Sequence, residues 1–194
     1  MTDITSHSAS GRRSSAAHPS KSASGGDGHI SGPSTDLVGC VELFYFAYRD
    51  FTCDPDTILE QYGFGRAHHR VLHFVHRNPG LNVAELLDIL KITKQSLARV
   101  LKQLVDESFI IQRTGDEDRR ERRLYVSAKG ARLTDKLTQI QVKRLEQALA
   151  KAGPGADALA RRFLFEMIAE KDRPHVEALI KGPAPQSREQ GVSE

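Results

Sequence analysis

The chain has 194 residues, with 28 Lys and Arg against 25 Asp and Glu, a net charge of +3 and 39% hydrophobic residues. That length suits one ordinary domain with tails, and two cysteines, Cys40 and Cys53, are too few for a disulfide framework or a Cys-rich metal site. No run approaches the roughly 18 apolar residues of a membrane span, and the N-terminus lacks the apolar stretch of an export signal, so a soluble cytoplasmic protein without a membrane partner is expected.

Small polar residues dominate 1–34, which cannot bury enough apolar surface to offset ordering entropy and are predicted to be a disordered tail. The same holds for 182–194, where Pro183 and Pro185 interrupt a polar sequence. The folded core is expected over 35–181. Thr35 or Asp36 caps a first helix whose Leu37, Val41, Phe44, Tyr48 and Phe51 recur at three- and four-residue steps; it should stop near Asp54 and Pro55. A second helix spans Phe64 to Arg77 and ends at Asn78-Pro79-Gly80. An extended piece over 81–83 leads to a short helix over 84–90, a turn at Lys91 and Ile92, and Thr93 as the cap of a helix reaching about Glu107. These two helices make a helix-turn-helix candidate.

The period then changes. The β-prone runs 109–113 and 122–127 flank a charged, Gly-containing stretch over 114–121 and predict a hairpin. A long helix from Ala128 carries Leu133, Leu137, Ile140, Leu145 and Leu149 to a break at Gly153-Pro154-Gly155, and further helices start near Asp157 and Asp172. The fold class expected is therefore mainly α with a small β-wing, a winged helix-turn-helix over about 64–130 joined to helices over about 36–53 and 128–181.

Charge is uneven along this order. Residues 36–63 carry six acids against Arg49 alone, whereas 64–130 carry thirteen Lys and Arg against eight Asp and Glu. A local basic excess is the footprint of a polyanion-binding surface. On the helix after Thr93, Leu97, Val100, Leu101, Leu104 and Val105 share one face and Gln95, Arg99 and Lys102 the other. Thr93, Lys94, Gln95 and Ser96 fall in its first turn, the part a helix-turn-helix inserts into the major groove, where Gln pairs with adenine and Arg or Lys with guanine. A solvated amphipathic helix would share this polar face.

The order of elements, the run LNVAELLDILKITKQSLARVLKQLV over 81–105, and the wing residues DRR at 118–120 followed by LYVS at 124–127 and Gly130 together resemble the MarR family of winged-helix regulators. Lys91 and Ser108 stand where that family often has Gly, and Val126-Ser127 replaces its usual Leu-Thr. The stretch over 62–75 is similar to an alphaproteobacterial branch that includes a cell-envelope regulator. The resemblance implies a homodimer that binds a pseudo-palindromic operator in double-stranded DNA, without a cofactor. It makes Arg120 a wing-tip residue for the minor groove, oriented by Asp118, with Arg113, Arg119, Arg122 and Arg123 as candidates for phosphate contacts or wing salt bridges. Because strand residues alternate, Arg122 and Arg123 cannot both face DNA.

The resemblance also implies a cleft for a small aromatic or phenolic ligand, for which the candidates are Phe44, Tyr48, Phe51, Phe64, Arg66, His68 and His69. The first-helix aromatics are expected to face Phe64 and His68; ordinary core packing is the alternative. His69, His73 and His76 share an arc that suits zinc only weakly, with no clear carboxylate or Cys set beside it, so no metal is assigned. Cys40 sits about one position from that of the family's peroxide-sensing branch and reads better as a packed thiol, leaving redox or metal sensing as alternatives. No nucleophile and base spacing, phosphate-cradling Gly loop or HExxH pattern supports an enzyme. A winged helix serving only as a protein-interaction module is the stronger rival.

Overall fold

The computed structural model describes residues 35–115 and 121–182. The wing tip over 116–120 and both predicted tails, apart from Gly182, lie outside the described residues. In chain order the elements are α1 (Thr35–Glu60), α2 (Arg66–Arg77), α3 (Val83–Leu90), α4 (Lys94–Asp106), β1 (Ile110–Thr114), β2 (Arg122–Val126), α5 (Ala128–Ala152), α6 (Ala156–Glu166), a 3-10 turn (Glu170–Asp172) and α7 (Arg173–Lys181).

The core gathers α2, α3 and α4, the two strands, and the first ten residues of α5. Leu72, Leu86, Leu97, Leu104, Phe109, Leu124 and Leu137 are buried there. Leu59, at the end of α1, joins the same cluster. This explains why α1 does not end where the sequence places its stop. α1 runs through Pro55 instead of stopping before it. An interior proline removes a backbone donor and costs about 3 kcal/mol. Here Pro55 is buried, and the extra turn delivers Leu59 to full burial, worth about 1.5 to 3 kcal/mol. The Asp54 and Asp56 carboxylates on either side bond Arg144 of α5 and Arg66 of α2 at 2.7 and 2.8 Å, which pins the continuation in place.

The second helix starts later than its apolar spacing suggests. Gly63 adopts φ +65° and Gly65 is extended at the N-cap, so Phe64 is buried from a turn and not from the helix. At the other two turns the residues standing where Gly is usual take the left-handed conformation themselves: Lys91 at φ 50° and Ser108 at φ 62°. After α4 the Phe109 amide donates to the Leu104 carbonyl (2.8 Å) and the Ser108 amide to that of Val105 (2.9 Å), the paired bonds of a Schellman ending. The left-handed Ser108 costs about 1 to 2 kcal/mol, and burial of Phe109 offsets it.

The strands pair antiparallel with Ile110 opposite Val126 and Thr114 opposite Arg122. The 81–83 piece forms no strand of its own and makes one β-bridge to them, between Asn82 and Arg123. Outside this lobe burial falls away. The N-terminal half of α1, the far half of α5, and α6 and α7 expose Leu37, Leu43, Tyr45, Phe163, Met167 and Ile180, each at 55–69%.

Candidate nucleic-acid interface

Recognition of a base edge needs a helix whose end is fixed and whose outer face is free. Thr93 provides the first condition: its hydroxyl accepts the Ser96 amide at 3.2 Å and donates to the Ser96 hydroxyl at 2.9 Å, so both side chains serve the cap. Burial of Leu97, Val100, Leu101 and Leu104 provides the second, leaving Lys94, Gln95, Arg99 and Lys102 exposed on the opposite side. Lys102 pairs with Asp106 one turn on, an exposed contact of the kind worth little in water. A shallow groove lined by Lys94, Lys102 and Gln112 places the first wing strand beside α4. Gln112 was not singled out from sequence, because nothing local marks which strand residue lies next to a helix.

Arg123 donates to the Gly80 carbonyl (3.2 Å) and to Glu121 (2.8 Å), and Glu121 accepts from the Asn82 side chain at 2.6 Å. Arg123 is thus held against the lobe, half-buried, while Arg122 is exposed and donates across the ribbon to Thr114 at 2.8 Å. Asn82 also accepts the Glu85 amide while Glu85 accepts the Asn82 amide, a reciprocal capping box that starts α3. The wing root and the start of the helix-turn-helix therefore share one side chain. Arg113 lies 5.1 Å from the centroid of Tyr125. By strand alternation it occupies the face opposite Arg122, so the two arginines do not meet one phosphate row together. Asp118, Arg119 and Arg120 lie outside the described residues.

Gly130 shows why the wing must be followed by glycine at this distance. A Cβ there would stand 2.2 Å from the Phe109 carbonyl oxygen. That oxygen accepts the Ser127 amide at 3.0 Å, and the Ser127 hydroxyl accepts the Gly130 amide and donates to the Ser108 carbonyl.

A model of the MarR family matches residues 62–121. The HTH-type transcriptional regulator PetP of Rhodobacter capsulatus is 46% identical over 139 residues, covering 72% of this chain and 84% of PetP. The chain belongs to the MarR family. It is a DNA-binding transcription regulator and not an enzyme. Its fold matches crystal structures of MarR (TM-score 0.57, 21% identity, 76% of this chain and 98% of that one) and of Streptococcus pneumoniae FabT in complex with DNA (TM-score 0.61, 13% identity, 68% and 94%).

In this MarR-family regulator the expected ligand residues divide. Tyr48, Phe51, Arg66 and His69 line a common cleft of about 550 Å3 between α1, α2 and α5, together with Asp56, Arg70, His73 and Phe74. Phe64 and His68 do not face α1, which corrects the expected aromatic cluster. His68 stacks on Phe64 (4.8 Å), and Phe64 meets Phe109 edge-on (5.0 Å), on the side of α2 that packs against α4. The turn that buries Phe64 aims both rings there. Phe44 is 44% exposed and does not line the cleft.

The histidines of α2 likewise have separate surroundings. The Gly65 amide donates to His68 Nδ1 (3.1 Å), which leaves the proton on Nε2 to donate to Gln103 Oε1 (2.9 Å). Burial lowers the pKa of His68, His69 and His73. His76 instead reaches Asp135 of α5 at 3.1 Å. Both cysteines are exposed, so Cys40 is not the packed thiol its position suggested. Among the described residues no helix is long and apolar enough to cross a membrane.

Proposed function

We propose that the protein acts in the cytoplasm as a homodimer on a pseudo-palindromic operator, with α4 in the major groove and the hairpin arginines reaching toward the minor groove. The observation that carries this reading is α4 itself, capped by Thr93, buried along one side and presenting Lys94, Gln95 and Arg99 along the other. The DNA-bound state of FabT, a protein of matching fold, supports the same use of this lobe. Apolar exposure on α1, α6 and α7 supports the pairing, since two copies joined there cover a patch that soluble monomers seldom tolerate.

The α1/α2/α5 cleft suits a small phenolic ligand. Tyr48, Phe51 and Phe74 supply ring surface, Arg66 and Arg70 supply positive charge, and Asp56 Oδ1 is buried without a hydrogen-bond partner among the described residues. A phenolic hydroxyl donating to that oxygen satisfies it.

The test compares Arg99→Ala and Gln95→Ala with wild type on operator and scrambled duplexes across a salt series. Each lost base contact is expected to cost about 1 to 3 kcal/mol of discrimination. Unchanged affinity ratios in both variants remove α4 from the groove. Duplex affinity that is weak and indifferent to salt favours a protein-interaction module.

A further inference from the structure

α4 is buried against α2 and the rest of the core along Leu97, Val100, Leu101 and Leu104. Such burial sets how closely the helix lies, and much less how it is rolled about its own axis, because apolar attraction has no direction. The flank of α4 beside this face adds the direction. Arg99, Gln103 and Glu107 follow one another there at single-turn steps, and His68 of α2 faces the row.

The groups between the two helices are bonded in series, each with its polarity fixed. The Gly65 amide donates to His68 Nδ1 at 3.1 Å, so the ring proton is on Nε2, which donates to Gln103 Oε1 at 2.9 Å. Gln103 Nε2 in turn donates to Glu107 Oε1 at 3.0 Å. A carboxylate only accepts, so Glu107 turns the Gln103 amide with its oxygen toward His68. The two ends of the His68–Gln103 bond are thus set independently, the tautomer by a backbone amide and the amide orientation by a carboxylate. The ring has little freedom to turn, because it stacks on buried Phe64 at 4.8 Å with 7° between the planes, and Phe64 meets Phe109 just past α4.

We propose that His68 is a positioning residue for DNA recognition: with its proton on Nε2 it holds Gln103 and fixes the roll of α4, and so the direction in which Arg99 leaves the helix one turn before. This rests on the reading of α4 as the helix in the major groove. It also sets a sign for pH. A second proton on the ring goes to Nδ1, where it meets the Gly65 N–H donor to donor; the bond that starts α2 is lost and the ring is charged. Among the described residues the charged groups that face the ring are Glu107, which favours the imidazolium, and Arg99, which opposes it; burial, the larger influence, keeps the pKa below the ordinary value. A new cation near DNA ordinarily strengthens binding to duplexes of any sequence. Acid is expected here to weaken binding to the preferred sequence instead, because α4 is released from its seat.

The test uses the full-length protein, a duplex that it selects from a random pool and a scrambled duplex of equal length, and reads the ratio of the two affinities. His68→Gln introduces a side chain that still accepts the Gly65 amide, as in a capping box, but then has no group left for Gln103. At about pH 7.5, His68→Gln and Gln103→Leu are each expected to lower the ratio about three- to tenfold, with no further loss in the double variant. At about pH 5 wild type is expected to lose the same discrimination, and His68→Gln to lose none beyond what it lacks already. Circular dichroism checks the fold of each protein at both pH values, and Gln103→Leu, which leaves the α2 cap untouched, carries the comparison if His68→Gln is unfolded. The proposal is overturned if either folded single variant discriminates as wild type does, if the single losses add in the double variant, or if the acid loss is absent from wild type or persists in His68→Gln. Arg99→Ala, run beside them, tells two failures apart. Discrimination lost there and kept in His68→Gln and Gln103→Leu overturns the positioning role alone, whereas discrimination kept in Arg99→Ala overturns the reading of α4 in the groove and the positioning role with it.

Discussion

Replacing Gly130 by Ala sets two effects of opposite sign against each other. In a helix interior Ala is favoured over Gly by about 1 kcal/mol. Against this, the new Cβ would stand 2.2 Å from the Phe109 carbonyl oxygen and 3.4 Å from the Val126 Cβ. Relief requires a shift of about 1 Å, and neither neighbour is free to move. Phe109 is 1% exposed, its carbonyl accepts the Ser127 amide, and Ser127 is itself bonded to Ser108 and Gly130. Two such hydrogen bonds at about 1 kcal/mol each, with about 1 to 3 kcal/mol of overpacking, outweigh the gain in propensity. The net expectation is a loss of about 2 to 4 kcal/mol. Equilibrium urea unfolding, followed by circular dichroism at fixed protein concentration, reads it directly as a lower midpoint with unchanged slope. Operator affinity should also fall at temperatures where the variant is folded, because the wing root moves with Phe109. A Gly130→Ala variant as stable as wild type would refute the contact on which this account rests.

Three further outcomes are expected. Arg120→Ala should weaken binding to most duplexes while leaving the unfolding midpoint unchanged; normal binding at physiological salt would remove the wing tip from the interface. For His68, His69 and His73, burial holds the folded-state pKa below the ordinary value of 6.5, so the unfolded chain takes up protons first as pH falls. Thermal stability should therefore be full above about pH 7 and decline through and below the ordinary His range, with His69→Gln/His73→Gln giving a flatter profile; coincident profiles would show that burial of these rings is not felt. Light scattering should give about twice the chain mass at micromolar concentration, and Phe163→Glu, placing a charge on an exposed apolar face of α6, should shift it toward one chain. A dimer undisturbed by that change lies elsewhere.

Local rules predicted most of the DNA lobe because its elements obey them. Thr93 caps where a cap was expected, and the buried face of α4 follows the helical spacing of its apolar residues. Lys91 and Ser108 kept the turns open to sequence reading even without glycine, since the neighbouring cap and core residues fix the geometry. Pro55 misled for the opposite reason: a local stop signal was overridden by Leu59, whose place in the core depends on residues far along the chain. The clamp of Asn82, Glu121 and Arg123 spans 39 residues from Asn82 to Glu121, a distance at which spacing carries no signal. The aromatic cluster failed on direction, because a wheel places Phe64 on a helix that begins two residues later.

That same clamp limits how the protein can adapt to different DNA. The Gly80 amide donates to Leu124 and the Leu124 amide to Leu81, both at 2.9 Å, while Asn82 and Arg123 hold Glu121 from two sides. Wing and helix-turn-helix consequently behave like the jaws of a caliper soldered at one opening. In the homodimer proposed above, the phase between the bases α4 would touch and those the hairpin would touch is constant within each copy, so a site with that phase altered is not met by swinging the wing. On that reading, tolerance for irregular operators resides in the span between the two proposed half-sites, or in the bending of the DNA.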